Sequence, residues 1–352
     1  MEKGERRTVM HIIDSTYRGG AQKVVLEIVH CFPEMKHVVC YWSGSGDLDG
    51  ELEKAGATLL KMPFHGMATL VSAVSFIRQM VSKYHVDILH THMFTPNLIS
   101  WFIGNASIRK VRTYHGECFE RKGLKGLVLR LIERVTIREA HEVLAVSNHV
   151  KQYLQRKLQL SGPIRVVYNF GRVANKRRAG TFSTPLKFVA TSNNQPYKNY
   201  PLLVEVFASL QDIPVTLDIF GKDMEPLIGL AQQRGATRIN FRGSVDDVPS
   251  VLADYDVYLA ASDSGEGFSL SLLEAMNAGL PVVCSDIPQF KEALADSGIF
   301  FRNRNSSDLR NIIGKIVAEP SALDGYSQKI RQRTGQFSRE RFISEMRCVY
   351  QV

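Results

Sequence analysis

Short apolar runs rich in valine and isoleucine alternate with longer stretches of helical periodicity along the whole chain, and this alternation limits the possible folds more than any other feature. In the first half the spacing predicts strands over 8–14, 37–42, 58–62, 86–92, 110–114, 142–146 and 164–168. In the second half it predicts strands over 187–191, 215–220, 238–241, 257–260, 281–285 and 298–301. Helical patterns lie between them, among them 21–32 (stopped by Pro33), 68–83, 198–210 and 269–278. Such alternation builds an α/β chain of parallel sheets joined by right-handed crossovers. At 352 residues the chain is longer than one hydrophobic core ordinarily serves. The polar, turn-forming stretch 171–185 reads as a linker between a domain at 1–170 and another at 186–337. A last helical pattern, 338–352, opens on a candidate N-cap, Ser338, and carries Phe342, Met346 and Val349 at helical spacing. A terminal helix needs a surface to dock on, and the first domain is the candidate.

A hydrophobic share of 44% with 22% charged residues excludes a disordered or fibrous chain. The net charge of +9 suggests an anionic partner: nucleic acid, a membrane surface or a phosphorylated ligand. Residues 1–170 hold 23 of the 44 lysines and arginines but only 15 of the 35 acidic residues, so +8 of the surplus lies there. The two halves are therefore expected to face different partners. Five scattered cysteines (Cys31, Cys40, Cys118, Cys284, Cys348) with no C-x-x-C argue against disulfides and structural zinc, and favour a reducing cytoplasm. No apolar run approaches the roughly 18 residues that span a bilayer. The stretch 9–13 is too short for a signal-peptide core.

Chemistry concentrates in 262–281, which follows a strand and opens a strong helix former. Gly265 and Gly267 allow a tight turn and close approach of a ligand to the backbone. Free N–H groups at Phe268, Ser269 and Leu270 would then point at an anion. Glu266 stands on the loop and Glu274 within the helix, so the two carboxylates can grip different parts of one elongated ligand.

This block resembles the E-x7-E signature of the retaining GT-B glycosyltransferases of family 4 (glycosyl transferases group 1), with Glu266 and Glu274 as its carboxylates. The resemblance runs in order along nearly the whole chain. Asp14-Ser-Thr-Tyr-Arg-Gly-Gly-Ala21 is similar to the first glycine loop, Asp87-Ile-Leu-His-Thr-His92 to the internal strand, and Thr113-Tyr-His-Gly116 to the histidine loop. Ala145-Val-Ser147, Val167-Tyr-Asn169, Tyr197-Lys-Asn199 and Phe241-Arg-Gly243 continue the pattern. The resemblance implies two Rossmann-like domains facing an interdomain cleft, the first binding the acceptor and the second a nucleotide-diphosphate sugar. It implies that Glu274 holds the ribose, Glu266 the donor sugar and Lys198 the diphosphate, with the amides of Phe268, Ser269 and Leu270 on the phosphates. Gly19 and Gly20 offer a second phosphate contact at a helix start. His115, at the carboxyl edge of its sheet, would contact the donor sugar near the reacting carbon and stabilise charge there. With Glu266 it is the candidate catalytic residue.

Family members usually carry an arginine shortly before the lysine, and 191–197 has none. Asn193 and Asn194 supply no charge, which leaves Arg172 or Lys222 as substitutes. The resemblance implies metal-independent transfer without a cofactor. His90 and His92 share one face of a strand, but a metal needs a third ligand, and none is near them in sequence. Asp47-Leu-Asp49 and Asp254-Tyr-Asp256 match the D-x-D metal motif of the other glycosyltransferase fold, but Asp254 and Asp256 end a helix and start a strand and read as structural. Lys176-Arg177-Arg178 is too short for a nucleic-acid patch. The segment 121–138 suggests an amphipathic helix with cationic flanks (Arg121, Lys122, Lys125, Arg130, Arg134) that lies on an anionic leaflet. Taken together, these features lead us to expect a retaining glycosyltransferase acting on a saccharide acceptor, lipid-linked, in surface polysaccharide, lipopolysaccharide or glycolipid assembly. It would be cytoplasmic and peripheral on the membrane. The rivals are a nucleotide-sugar epimerase of the same fold and a non-catalytic subunit of a glycosyltransferase complex.

Overall fold

The computed structural model describes residues 6–44, 46–104, 106–117, 123–160, 162–173, 178 and 181–352. The chain divides into two compact units, Met1–Tyr168 with Ile343–Val352, and Asn169–Phe342. In the first unit the strands are β1 (Thr8–Ile12), β2 (Lys36–Tyr41), β3 (Ala57–Lys61), β4 (Ile88–His92), β5 (Arg109–Tyr114), β6 (Glu142–Ala145) and β7 (Arg165–Val166). They form a parallel sheet in the order β3-β2-β1-β4-β5-β6-β7. In the second, β8 (Leu186–Thr191), β9 (Val215–Phe220), β10 (Ile239–Gly243), β11 (Val257–Ala260), β12 (Val282–Ser285) and β13 (Ile299–Phe301) follow the order β10-β9-β8-β11-β12-β13, again all parallel. The expected two-domain Rossmann-like α/β fold is present. Each strand order reverses once, between β1 and β4 and between β8 and β11. Open parallel sheets receive ligands at the carboxyl edge beside such reversals.

Period-2 alternation sends the side chains of each strand to two covered faces. Met10 and Ile12 pack with Val38, Cys40, Leu89 and Ile77 of the helix Leu70–Lys83. Val39 and Tyr41 pack on the other face, against Val25, Leu26 and Val29 of the helix Gly20–Cys31. In the second unit Phe188, Leu217 and Ile219 meet Leu203 and Phe207.

Two expected elements differ. The strand expected at 164–168 shrinks to β7, an edge strand paired only with β6. The helix expected at 198–210 is interrupted: Pro196–Lys198 is a 3-10 turn, and Asn199 takes a left-handed backbone (φ 52°) before the helix Tyr200–Ala208. Pro201 has no N–H to donate and fits only that helix's first turn. Lys198 therefore sits on a turn rather than on a helix face. Described residues of the expected linker pack on the second unit: Arg178 N donates to Ala278 O (3.0 Å), and Ser183 N donates to Asp256 (3.2 Å).

The terminal helix Arg339–Tyr350 begins as expected, with Ser338 Oγ accepting from Arg341 N at 3.2 Å. Its last carbonyls, which have no partner within the helix, receive arginines of the first unit. Arg109 Nε donates to Val349 O (2.7 Å), and Arg7 donates to Tyr350 O (3.2 Å). The Tyr350 ring is fully buried, edge-on to Phe32. Tyr350→Ala should cost the first unit about 3–5 kcal/mol, seen in calorimetry as a lower midpoint for that unit's unfolding transition.

Candidate active site

The loop after β11 gathers several polar contacts of the second unit. Gly265 adopts φ 69°, and a Cβ there would come within 3.3 Å of Tyr197. Glu266 follows, almost fully buried, and its Oε1 accepts from Lys198 Nζ and from Ser262 Oγ, each at 2.6 Å. Gln289 Nε2 holds the Glu266 carbonyl at 3.1 Å, which fixes the loop backbone. Burial alone would lower the pKa of Lys198, but Glu266 and Tyr197 outweigh it and raise it, so the ammonium stays charged. Thr191, Tyr258, Ser269 and Phe290 line the same recess. The helix Leu270–Asn277 starts at its rim with Ser269 as N-cap, and no side chain caps it. The first N–H groups of a helix have no carbonyl of their own within it; this helix opens at Leu270, with Phe268 and Ser269 immediately before it.

Glu274 is buried in that helix, and Arg172 Nε lies 3.7 Å from its Oε1. Gly171 makes this pairing possible. Its backbone packs on the helix so closely that a Cβ would sit 2.5 Å from Glu274 N, and Asn277 Nδ2 donates to Gly171 O at 2.7 Å. Arg172 thus brings a guanidinium to the carboxylate nearest the linker. Lys222 is tied to the turn that lacks an arginine: its N–H donates to Asn193 Oδ1 (3.1 Å), and its carbonyl accepts from Asn194 N (3.0 Å). Both candidate substitutes therefore belong to this edge of the second sheet.

In the first unit Gly19 is the N-cap of the helix Gly20–Cys31, and both glycines follow β1. Neither takes a positive φ, and a Cβ on Gly20 would meet no atom within 4 Å. His115 follows β5 at the same edge, its Nε2 2.9 Å from His92 Nδ1. Burial lowers its pKa to about 4, so the ring is neutral at physiological pH. Lys125 is exposed on the helix Gly123–Thr136, Arg130 and Arg134 are half-buried there, and Arg134 donates to Gln159 Oε1 at 2.8 Å. Arg121 and Lys122 lie outside the described residues.

One expectation is corrected. His90 and His92 do have a third imidazole beside them, because β1 pairs with β4 so that His11 stands opposite His90. One ring nitrogen from each of the three lies within 4.8 Å of the others. Sequence distance hid this: 79 positions separate His11 from His90, and only strand order joins them. Asp256 is structural as expected, accepting from the backbone N–H groups of Ser183 and Lys187. Arg178 is buried between Asp256 and the Phe182 ring, so it presents no charge to a nucleic acid. Lys176 and Arg177 lie outside the described residues.

Family models match both halves of the chain: Glycosyltransferase Family 4 over residues 18–170, and Glycosyl transferases group 1 over 172–341. The chain belongs to the group 1/family 4 glycosyltransferases. Among curated relatives, this glycosyltransferase is 24% identical to the N-acetyl-alpha-D-glucosaminyl L-malate synthase of Bacillus anthracis over 300 residues, 80% of this chain and 78% of the relative. It is 26% identical to the phosphatidyl-myo-inositol mannosyltransferase of Mycobacterium leprae over 304 residues, again 80% and 78%. Among solved structures, Anabaena HepE in complex with UDP-glucose superimposes with a TM-score of 0.80 at 20% identity, covering 96% of this chain and 98% of that one. That likeness shows the GT-B fold.

The buried imidazoles have a consequence for stability. Burial lowers the pKa of His11, His37 and His92, takes that of His90 to about 3 and that of His115 to about 4. The unfolded glycosyltransferase therefore binds protons that the folded first unit refuses. This contribution is intact above the unfolded value of 6.5 and is lost as pH falls through the folded values. Calorimetry between pH 7.5 and 4 should show the first unit's melting transition falling earlier and more steeply than the second's.

Proposed function

We propose that this glycosyltransferase moves a sugar, with retention, from a nucleoside-diphosphate sugar to a saccharide acceptor carried on a lipid at a membrane surface, in surface polysaccharide or glycolipid assembly. The observation that carries the donor half is the buried ion pair Lys198–Glu266 beneath the start of the helix Leu270–Asn277. A charged amine and a row of backbone N–H groups at one strand edge suit a diphosphate. Glu266 takes hydroxyls of the donor sugar, and Glu274, one to two turns into the helix, takes the ribose. As the bond to the sugar breaks, negative charge collects on the leaving diphosphate, where Lys198 and the fixed N–H dipoles stabilise it with no reorganisation. The leaving phosphate oxygen takes the acceptor proton, so the reading asks for no strong protein base. With Lys198, Arg172 and a helix start on the donor side, transfer runs without a divalent cation or a cofactor.

The membrane half rests on the helix Gly123–Thr136, whose polarity is inverted. Gly126, Glu133 and Thr136 are buried, while Leu124 (75% exposed), Leu127, Val128, Leu131 and Val135 (55%) face outward. Glu133 is held inside by Asn97 Nδ2 (2.9 Å), Arg112 (3.6 Å) and a short hydrogen bond from Tyr114. Helices in water turn their apolar stripe inward. An outward stripe flanked by Lys125, Arg130 and Arg134 suits the headgroup boundary of an anionic leaflet. No helix among the described residues is long and apolar enough to cross a membrane, so the contact proposed is peripheral, on the cytoplasmic face. The first half's +8 surplus fits the same partner.

Purified enzyme with a panel of nucleoside-diphosphate sugars should give a glycoside of the donor's own anomeric configuration by NMR, and should do so in a chelator. Lys198→Ala should lower the rate about 100-fold or more. Inversion, or epimerised donor without any acceptor, would overturn the transfer reading. Separately, the wild-type chain should float with phosphatidylglycerol vesicles. Leu127→Glu with Leu131→Glu should stay in the dense fraction while transfer to a water-soluble acceptor is unchanged.

A further inference from the structure

Four histidines of the first unit form a line that starts at the carboxyl edge of the sheet and runs inward. His115 Nε2 is 2.9 Å from His92 Nδ1, His92 Nε2 is 3.3 Å from His11 Nδ1, and His11 Nε2 is 3.4 Å from His37 Nδ1. The line ends where His37 Nε2 meets the carbonyl oxygen of Phe32 at 2.9 Å. His37 is on β2, His11 on β1 and His92 on β4, so the line crosses three neighbouring strands and reaches the loop after a fourth.

The far end sets a direction. A carbonyl oxygen only accepts, so His37 Nε2 must carry the hydrogen. A neutral imidazole has one N–H and one lone pair, so His37 Nδ1 accepts, and His11 Nε2 must donate to it. By the same rule His11 Nδ1 accepts from His92 Nε2, and His92 Nδ1 accepts from His115 Nε2. Burial supports the neutrality that this requires, since it lowers the pKa of all four rings. His90 stands beside the line and imposes no direction. Its nitrogens meet Tyr350 OH (2.8 Å) and Thr113 Oγ1 (2.7 Å), hydroxyls that donate or accept equally well. A cation between His11, His90 and His92 would have to displace these bonds, and the group contains no carboxylate to offset its charge.

We propose that His92, His11 and His37 are positioning residues that hold His115 as the Nε2–H tautomer, leaving the Nδ1 lone pair as the nitrogen available to a ligand. His115 then meets a sugar hydroxyl as a hydrogen-bond acceptor and has no proton to offer the leaving group. A retained glycosyl group gains positive charge at the reacting carbon, and an outward lone pair favours that charge where an imidazolium would oppose it. The role assigned to His115 rests on the transfer reading above, whereas the tautomer is a property of the ligand-free chain.

The test uses the full chain labelled with 15N-histidine, without ligand, at pH 7.5, with long-range proton–nitrogen correlation spectra assigned through single histidine variants. His115 should show the Nε2–H pattern. His37→Phe, which removes the carbonyl anchor, should give mixed tautomers at His115. His37→Gln should keep the wild-type pattern, because its amide can donate to Phe32 O and accept from His11. In turnover, His37→Phe should lower kcat roughly 10- to 100-fold, the range for residues that orient a functional histidine, with nucleoside-diphosphate affinity unchanged. An Nδ1–H or imidazolium form in the wild type, an unaltered His115 signal in His37→Phe, or stoichiometric zinc bound by the purified chain would each overturn the proposal. The wild-type spectrum decides even if His37→Phe does not fold. Failure of sugar transfer with an Nε2–H His115 would instead count against the transfer reading alone.

Discussion

In a parallel sheet every strand ends at the same edge, and each crossover carries the chain back over a face, so loops that follow strands collect in one place while both faces are sealed by helices. The placement of the candidate site residues depends on that constraint. The loop after β11 carries Glu266, the turn after β8 carries Lys198, the loop after β1 carries Gly19 and Gly20, and the loop after β5 carries His115. Segments remote in sequence meet because their strands are neighbours: β8 pairs with β11, and Lys198 reaches Glu266 across 68 positions.

Electrostatics divides the labour between the units. The second unit is close to neutral, and its candidate site gathers few formal charges: an ion pair, a guanidinium against a buried carboxylate and a helix start. Fixed dipoles in a partly dry recess act more strongly than the same groups in water. The first unit holds nearly all of the net charge and directs much of it outward. Its interior holds neutral imidazoles and, among the described residues, the buried carboxylate of Glu133 beside the buried guanidinium of Arg112. Polar groups inside a sheet face are tolerated when each finds a partner, and here the histidines supply one another's. A carboxylate drawn inward at Glu133 likewise turns the rest of its helix inside out and leaves leucine and valine on the surface.

Much of the site was legible because its signals are local. The eight-residue spacing from Glu266 to Glu274, the loop glycines between a strand and a helix, and the Gly19-Gly20 helix start each specify their geometry within a few residues. The helix expected through Lys198 was misread because Asn199 adopts a left-handed backbone that sequence periodicity does not register. The apolar stripe over 123–136 was legible as amphipathic, but its outward orientation was not. That depended on Arg112 and Tyr114 of β5 and Asn97 of the helix Phe94–Trp101 lying against Glu133, which sequence periodicity within 123–136 does not register.

The sequence by itself determined the two parallel sheets, the family and the carboxylate, lysine and glycine positions at the strand ends, since hydrophobic period and turn chemistry act over short range. It placed His90 and His92 on one face but found no companion for them. Only the tertiary structure decided that His11 and His37 join them and that Tyr350, from the last helix, closes over His90. The reason is physical. Alternation along a strand states which face a residue takes, while strand order, settled by crossovers and packing of the whole sheet, states which residues become neighbours on that face.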